Sequence, residues 1–242
     1  MAELTLIPFA FLTSLTAGIG GIAGGVILIS VMPGFLPAEA LIPVHGIVQI
    51  ASNVSRAAFG IQQIDWRISR TYAAGAIVGA LLGSQIVPYI AWENMPLILG
   101  TFILVFTWMP RMGNAPDLPG KFAILGLFQT TLSLFIGIAG PVNMPFLLRE
   151  NLGRDRTVIT HSVQMTSMHL LKVITLGILG FAFGPYLGLM AGMVAAAALG
   201  SWIGTRLRGK ISEELFRKGI KILITLLAFR MLLKATLFPE LP

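Results

Sequence analysis

Eight apolar runs of membrane length follow one another along this chain, and they constrain the fold more than anything else in it. They occupy residues 5–32, 41–63, 69–91, 95–110, 121–148, 157–182, 185–205 and 219–238. A helix rises ~1.5 Å per residue, so about 20 residues span the hydrocarbon core of a bilayer. Between the runs stand breakers such as Pro33-Gly34, Pro88, Pro96, Pro110 and Gly184-Pro185. Only 11% of the residues are charged, against about 25% in an ordinary soluble domain. A soluble fold must keep its own surface wet and could not hide so much apolar area. The pattern predicts an all-α integral membrane protein, a polytopic helical bundle with the lipid bilayer as its surroundings. The net charge of +7 would suggest nucleic acid in a soluble protein. Here the basic residues cluster in short loops between apolar runs, as topology demands, and no nucleic-acid partner is expected. The absence of cysteine excludes disulfides and thiolate metal sites.

The only polar linker of note, GNAPDLPGK (Gly113 to Lys121), sits near the middle of the chain. The halves on either side of it repeat. At an offset of 116, Gly21-Ile22-Ala23-Gly24-Gly25-Val26 matches Gly137-Ile138-Ala139-Gly140-Pro141-Val142. The same offset pairs His45 with His161, Asn53 with His169, and Arg56 with Lys172. One residue further, the stretch from Gly75 to Ser84 matches that from Gly192 to Ser201. The expected organisation is one membrane domain made of residues 1–112, a cytoplasmic linker at 113–121, and 122–242.

Charge indicates how the halves are related. The loop after the second run carries Arg67 and Arg70, while its equivalent around Gly184-Pro185-Tyr186 carries no cation. The loop after the third run, Ala91 to Met95, has no Lys or Arg, while its equivalent carries Arg206, Arg208, Lys210, Arg217 and Lys218. Equivalent loops of opposite bias should face opposite sides of the membrane, so the repeats are read as inverted. Inversion needs an odd number of crossings per half. The first and fifth runs are interrupted at Gly18 to Gly25 and at Gly137 to Pro141. If each enters and returns on one side, three transmembrane helices remain in each half. Then Arg67, Arg70, Arg111, Lys121, Arg149, Arg154, Arg156, Arg206, Arg208, Lys210, Arg217 and Lys218 lie on one side, and Glu3, Glu39, Glu93 and Glu240 on the other. Both termini are then outside, in a multi-pass protein of a bacterial inner membrane.

The polar residues inside the apolar runs are the candidates for function. Gly18-x-Gly20 formally begins a dinucleotide fingerprint, but no strand precedes it. Two readings remain for the glycine strings: a helix break whose freed backbone groups face an anion, or close glycine packing. Recurrence in both halves favours the break and selects Gly24, Gly25, Gly140, Pro141 and Asn143. The second run carries His45, Gln49, Ser52, Asn53 and Arg56, and His45 and Arg56 differ by only about 20° around a helix. The sixth run carries His161, Gln164, Met168, His169 and Lys172 at corresponding spacing. A polar stripe on a membrane helix faces a cavity or a partner helix, either as a binding surface or as interhelical glue. Arg56 and Lys172 each cost about 2.5–3.5 kcal/mol at a helix centre. Snorkelling of Arg56 to the interface is the competing reading for it.

No carboxylate or cysteine accompanies the three histidines within the membrane runs, so hydrogen bonding or proton coupling is expected of them and metal binding is not. Asp65 is expected to cap a helix beside Trp66. The basic loop residues need no role beyond topology. If the halves are inverted, Arg56 and His161 share one depth while Lys172 and His45 share another. Eleven residues, ~16 Å, separate His45 from Arg56 along one helix.

Taken together, Gly18-Ile19-Gly20-Gly21-Ile22-Ala23-Gly24-Gly25, its copy at Gly137 to Val142, Asp65-Trp66-Arg67, and the glycines spaced every four residues from Gly75 to Gly83 carry a resemblance to a known family. The chain resembles the TauE/SafE sulfite exporter family, also called the toluene-sulfonate uptake permease family, over nearly its whole length. The second glycine copy departs from the usual run, with Pro141 and Asn143 where glycines would stand. The resemblance implies movement of sulfite, sulfonates and related organosulfur anions in either direction. With Arg56 and Lys172 but no Asp or Glu in the membrane core, the expected function is a secondary transporter for a small anion, a sulfur oxyanion or organosulfonate. An anion channel of the same architecture is the alternative. An intramembrane enzyme is not expected, because no nucleophile–base set is present. No cofactor is expected, and a homodimer is a candidate assembly.

Overall fold

The computed structural model describes residues 2–21, 23–108, 118–137, 142–210 and 213–237. They form ten α-helices, and among the described residues there is no strand. In chain order these are α1 (Leu6–Gly20), α2 (Gly24–Val31), α3 (Ala38–Ala58), α4 (Trp66–Ile86), α5 (Met95–Trp108), α6 (Lys121–Ile136), α7 (Met144–Arg149), α8 (Arg154–Ile178), α9 (Leu187–Leu207) and α10 (Glu213–Leu237). By length and composition, the stretches Ala2–Gly20, Trp66–Tyr89 and Gly184–Leu207 are apolar enough to cross a membrane. The helices α3 and α8, at 21 and 25 residues, are as long, but their polar stripes lower their hydropathy. Large apolar side chains such as Leu81, Val105, Ile124, Leu199, Leu226 and Leu233 point outward, as a surface facing lipid requires.

The first apolar run is two helices, not one. Its first half ends at Gly21, whose left-handed φ of 79° closes α1 through an N–H bond to the Ala17 carbonyl. Ala23 is also left-handed, at φ 79°, a conformation that costs an L-residue about 1–2 kcal/mol. The chain then reverses. Gly24 lies against the Thr13 carbonyl and the Ala17 side chain, which a continuous helix could not bring to it. The fifth run behaves likewise. Gly137, at φ 75°, closes α6 through its N–H to the Ser133 carbonyl, at the position 116 residues after Gly21. The return of α7 is marked at its far end by a 2.5 Å ion pair between Lys121, at the start of α6, and Glu150, just after α7. Both ends of this second hairpin therefore lie at one face of the bundle.

Glycine seams join the hairpins to the long helices. Along α4, Gly75 and Gly79 rest on the carbonyls of Ala123 and Leu127 of α6, and Gly126 rests on Tyr72. Along α9, Gly192 faces Ile7 while Gly200 and Gly204 rest on the carbonyls of Phe11 and Leu15 of α1. A side chain at any of these seam glycines would collide with its neighbour, and small residues are what let backbones approach this closely. Between the seams stand α3 and α8, packed antiparallel: Gly46 faces Val173, Arg56 meets Ser162, and Gly60 faces Ile159. The main apolar cluster centres on α1, α2, α3, α5 and α10, and a second one lies between α4, α6 and α8.

Asp65 caps α4 through the Ile68 N–H at 3.1 Å, as its place before Trp66 predicts. It also pairs with Arg156 at 3.1 Å.

Candidate functional site

The polar stripes of α3 and α8 face each other inside the bundle and do not face lipid. His45, Gln49, Ser52, Asn53 and Arg56 are all buried, as are His161, Gln164, His169 and Lys172. Arg56 is 3% exposed and Lys172 is fully covered, so neither reaches the interface by snorkelling. Ion pairs join Lys121 to Glu150, Arg156 to Asp65 and Arg208 to Asp155. Among the described residues, Arg56 and Lys172 have no such partner.

The antiparallel packing sorts the stripe into two levels. At the first, Lys172 donates from Nζ to the Gly137 carbonyl at 3.1 Å, the C-terminal end of α6, where the helix dipole is negative. Its aliphatic stem crosses Gly46, where a Cβ would come within 3.1 Å of Lys172 Cε. His45 and His169 lie within electrostatic reach of the same ammonium, and their rings meet edge-on at 5.7 Å. His45 bonds to the Gly25 carbonyl at 2.9 Å through Nε2. A carbonyl only accepts, so Nε2 carries the proton. The Nδ1 atoms of His45 and His169 are buried with no hydrogen-bond partner. Gly25 leaves room for this contact, because a Cβ there would lie 2.9 Å from Gln49 Oε1 and 3.4 Å from His45 Nε2.

At the second level Arg56 is held by side chains. It donates from Nε to Ser162 at 3.2 Å, from Nη1 to Ser52 at 3.4 Å, and from Nη2 to the Asn53 carbonyl oxygen. Asn53 in turn donates to the Gln49 carbonyl at 2.7 Å. Ser201 of α9 donates to the Ser52 carbonyl at 3.0 Å, and the two hydroxyls are 2.9 Å apart. This network binds α3 to α8 and α9 at once.

Lys172 packs on Gly46, the residue after His45, and Arg56 meets Ser162, the residue after His161. The imidazole in contact with His45 is that of His169, while His161 lies at the other level. Not every selected residue joins the site. Gly24 serves the packing of the first hairpin. Met168 belongs to the apolar cluster with Tyr72 and Leu147. Asn143 and Gln164 form their own pair, with Nδ2 donating to Oε1 at 2.6 Å. Gly140 and Pro141 lie outside the described residues. Three contributors were not selected from the sequence: Ser162, Ser201 and Gly137. Ser162 sits one residue after His161, and Ser201 is the mate of Ser84 at the second repeat offset. Both were legible in principle as hydroxyls within polar or repeated stretches.

Arg208, which ends α9, is also more than a topology signal. It donates from Nε to the Gly18 carbonyl at 3.0 Å and from Nη1 to Asp155 at 3.2 Å. Burial pushes its guanidinium below the usual arginine range, and the Asp155 carboxylate acts against that shift. Arg208 and Arg56 lie within electrostatic reach of each other.

Facing stripes that carry two cations with no carboxylate partner among the described residues, neutral hydrogen-bond donors and backbone carbonyls are suited to a small anion and hostile to a cation. A family model described as Sulfite exporter TauE/SafE matches residues 6–231. Comparison with the curated proteins and with the solved structures gave no match.

Proposed function

The chain belongs to the sulfite exporter TauE/SafE family, whose members are membrane transporters of sulfur-related anions, and from that premise we propose that it is a secondary transporter for sulfite or a small organosulfonate. The observation that carries this reading is the pair of buried cations, Arg56 and Lys172, with no carboxylate opposite either of them. An unpaired charge in the membrane interior costs several kcal/mol. A bound anion supplies the missing counter-charge.

The inverted repeat belongs to the same proposal. The seams exchange partners between the halves, α4 with α6 and α9 with α1, and the left-handed glycines Gly21 and Gly137 fall at equivalent positions. These features support two halves, 1–112 and 122–242, related by inversion, each with a re-entrant hairpin and three crossings, in a bacterial inner membrane. The ion pairs Lys121–Glu150, Asp65–Arg156 and Asp155–Arg208 then lie at the cytoplasmic face. In this arrangement Lys172 and its two imidazoles receive the anion from the outer half, and Arg56 stands on the inner half.

The test is a solute panel in proteoliposomes: sulfite, sulfate, thiosulfate, sulfoacetate and taurine, with and without a pH gradient. Saturable uptake of sulfite or sulfoacetate with counterflow is expected, and zwitterionic taurine should be excluded. Flux that never saturates and shows no counterflow would assign a channel. Failure of every anion would remove the reading.

A further inference from the structure

Arg208 has more donors than the protein satisfies. Its side chain is only 6% exposed. Nε and Nη1 are used by Gly18 and Asp155, but Nη2 is buried with no hydrogen-bond partner. Thr205 Oγ1 is buried and unpartnered as well, and it stands three residues earlier on α9, on the same face one turn away. A buried donor left unmade costs about 1–3 kcal/mol, and here two polar groups three residues apart each leave a bond unmade. A guanidinium can only donate and a threonine hydroxyl can donate, so an acceptor with several oxygens satisfies both. The counter-charge already present is loosely held: the Asp155 side chain is 62% exposed, and pairs of that kind contribute about 0–1 kcal/mol.

The place of Arg208 in the bundle gives the pair a use. The turn of the first hairpin approaches α8 near its start, where Gly21 faces Val158, and the end of α3 lies there too, where Gly60 faces Ile159. Arg208, bonded to Gly18 in that hairpin, is therefore at the Arg56 end of the two-level polar stripe. Along α9 it stands seven residues past Ser201, ~10 Å, while Arg56 stands four residues past Ser52, which bonds Ser201.

We infer that Arg208 and Thr205 form a second anion site, a staging post for a small oxyanion at the end of the stripe nearest Arg56. It rests on the transport reading for its use, but not for its existence. An arriving oxyanion displaces the Asp155 carboxylate from Nη1 and takes Nη2 and the Thr205 hydroxyl, then passes inward to Arg56. In the opposite direction, the same site receives the anion that Arg56 releases.

The test uses the full chain, purified, with radiolabelled sulfite and inorganic sulfate as probes. Equilibrium binding to wild type should resolve two classes of site. Arg208→Gln should remove one class and leave the other, and in vesicles of fixed orientation it should raise half-saturation at least about tenfold at the Arg208 face only, the loss of a charge-assisted bond. Asp155→Asn keeps Arg208 and alters an exposed carboxylate, so it guards against misfolding of the first variant; it should tighten the same class several-fold. A single class of site in wild type would overturn the inference. So would both classes surviving in Arg208→Gln, or no change in Asp155→Asn. Two classes in wild type without transport of either probe would sink the transport reading and leave this site standing.

Discussion

Arg56 and Lys172 stand 116 residues apart, at matching positions of the proposed repeat, yet the protein holds them differently. Arg56 is tied by Ser162, Ser52 and Asn53, each on a separate nitrogen. Lys172 makes one bond, to a backbone carbonyl at the end of α6, and keeps two of its three ammonium protons for something else. The difference follows from side-chain chemistry. A guanidinium fork can be saturated by fixed acceptors around it, whereas an ammonium on a flexible stem can turn from one acceptor to another. Arg56 is thus a post that binds α3, α8 and α9 together, with two of its five N–H groups left over. On the proposed transport reading, Lys172 is the more freely exchanged cation. In the two hairpins the roles of the ends differ too: the α6 end is met by Lys172, and the α1 end is met by Arg208.

This contrast can be broken by paired substitutions. Arg56→Met leaves the Asn53 carbonyl oxygen buried without its donor and should cost roughly 1–3 kcal/mol of stability. Lys172→Met removes a lone buried charge and should be neutral or stabilising. Thermal unfolding in detergent reads both, and equal losses would mean that the two cations are held alike. A smaller effect concerns the hairpin turns. Ala23→Gly relieves a left-handed alanine and should gain about 1 kcal/mol, while Gly137→Ala should lose at least that much, since its Cβ would also fall 2.6 Å from Ile29. If Ala23→Gly failed to raise Tm, the left-handed turn would not be a site of stored strain.

Much of this architecture was legible in the sequence because membrane physics is strict. Apolar length marked every long helix to within a few residues at most ends. The glycine strings located the ends of α1 at Gly21 and of α6 at Gly137, since ending a helix there needs φ values that glycine adopts freely. The polar stripe of α3 was visible as a helical period, and its repeat mate on α8 followed. What the sequence withheld was pairing across helices. Nothing in the spacing says that His45 meets His169 in preference to its repeat mate His161, because that depends on the antiparallel register of α3 and α8. Arg208 was hidden for a different reason. It lies in a run of basic residues that topology alone accounts for, and only its burial sets it apart from Arg206 and Lys210.

The most direct measurement is equilibrium binding of radiolabelled sulfite to the purified wild-type chain and to Lys172→Gln, with the unfolding temperature of each recorded in the same detergent. The account predicts a folded Lys172→Gln variant of unchanged Tm that has lost the class of site not assigned to Arg208, with affinity down at least about a hundredfold, the scale of a buried charge-assisted contact. Sulfite binding to a folded Lys172→Gln variant with wild-type affinity and stoichiometry would contradict it.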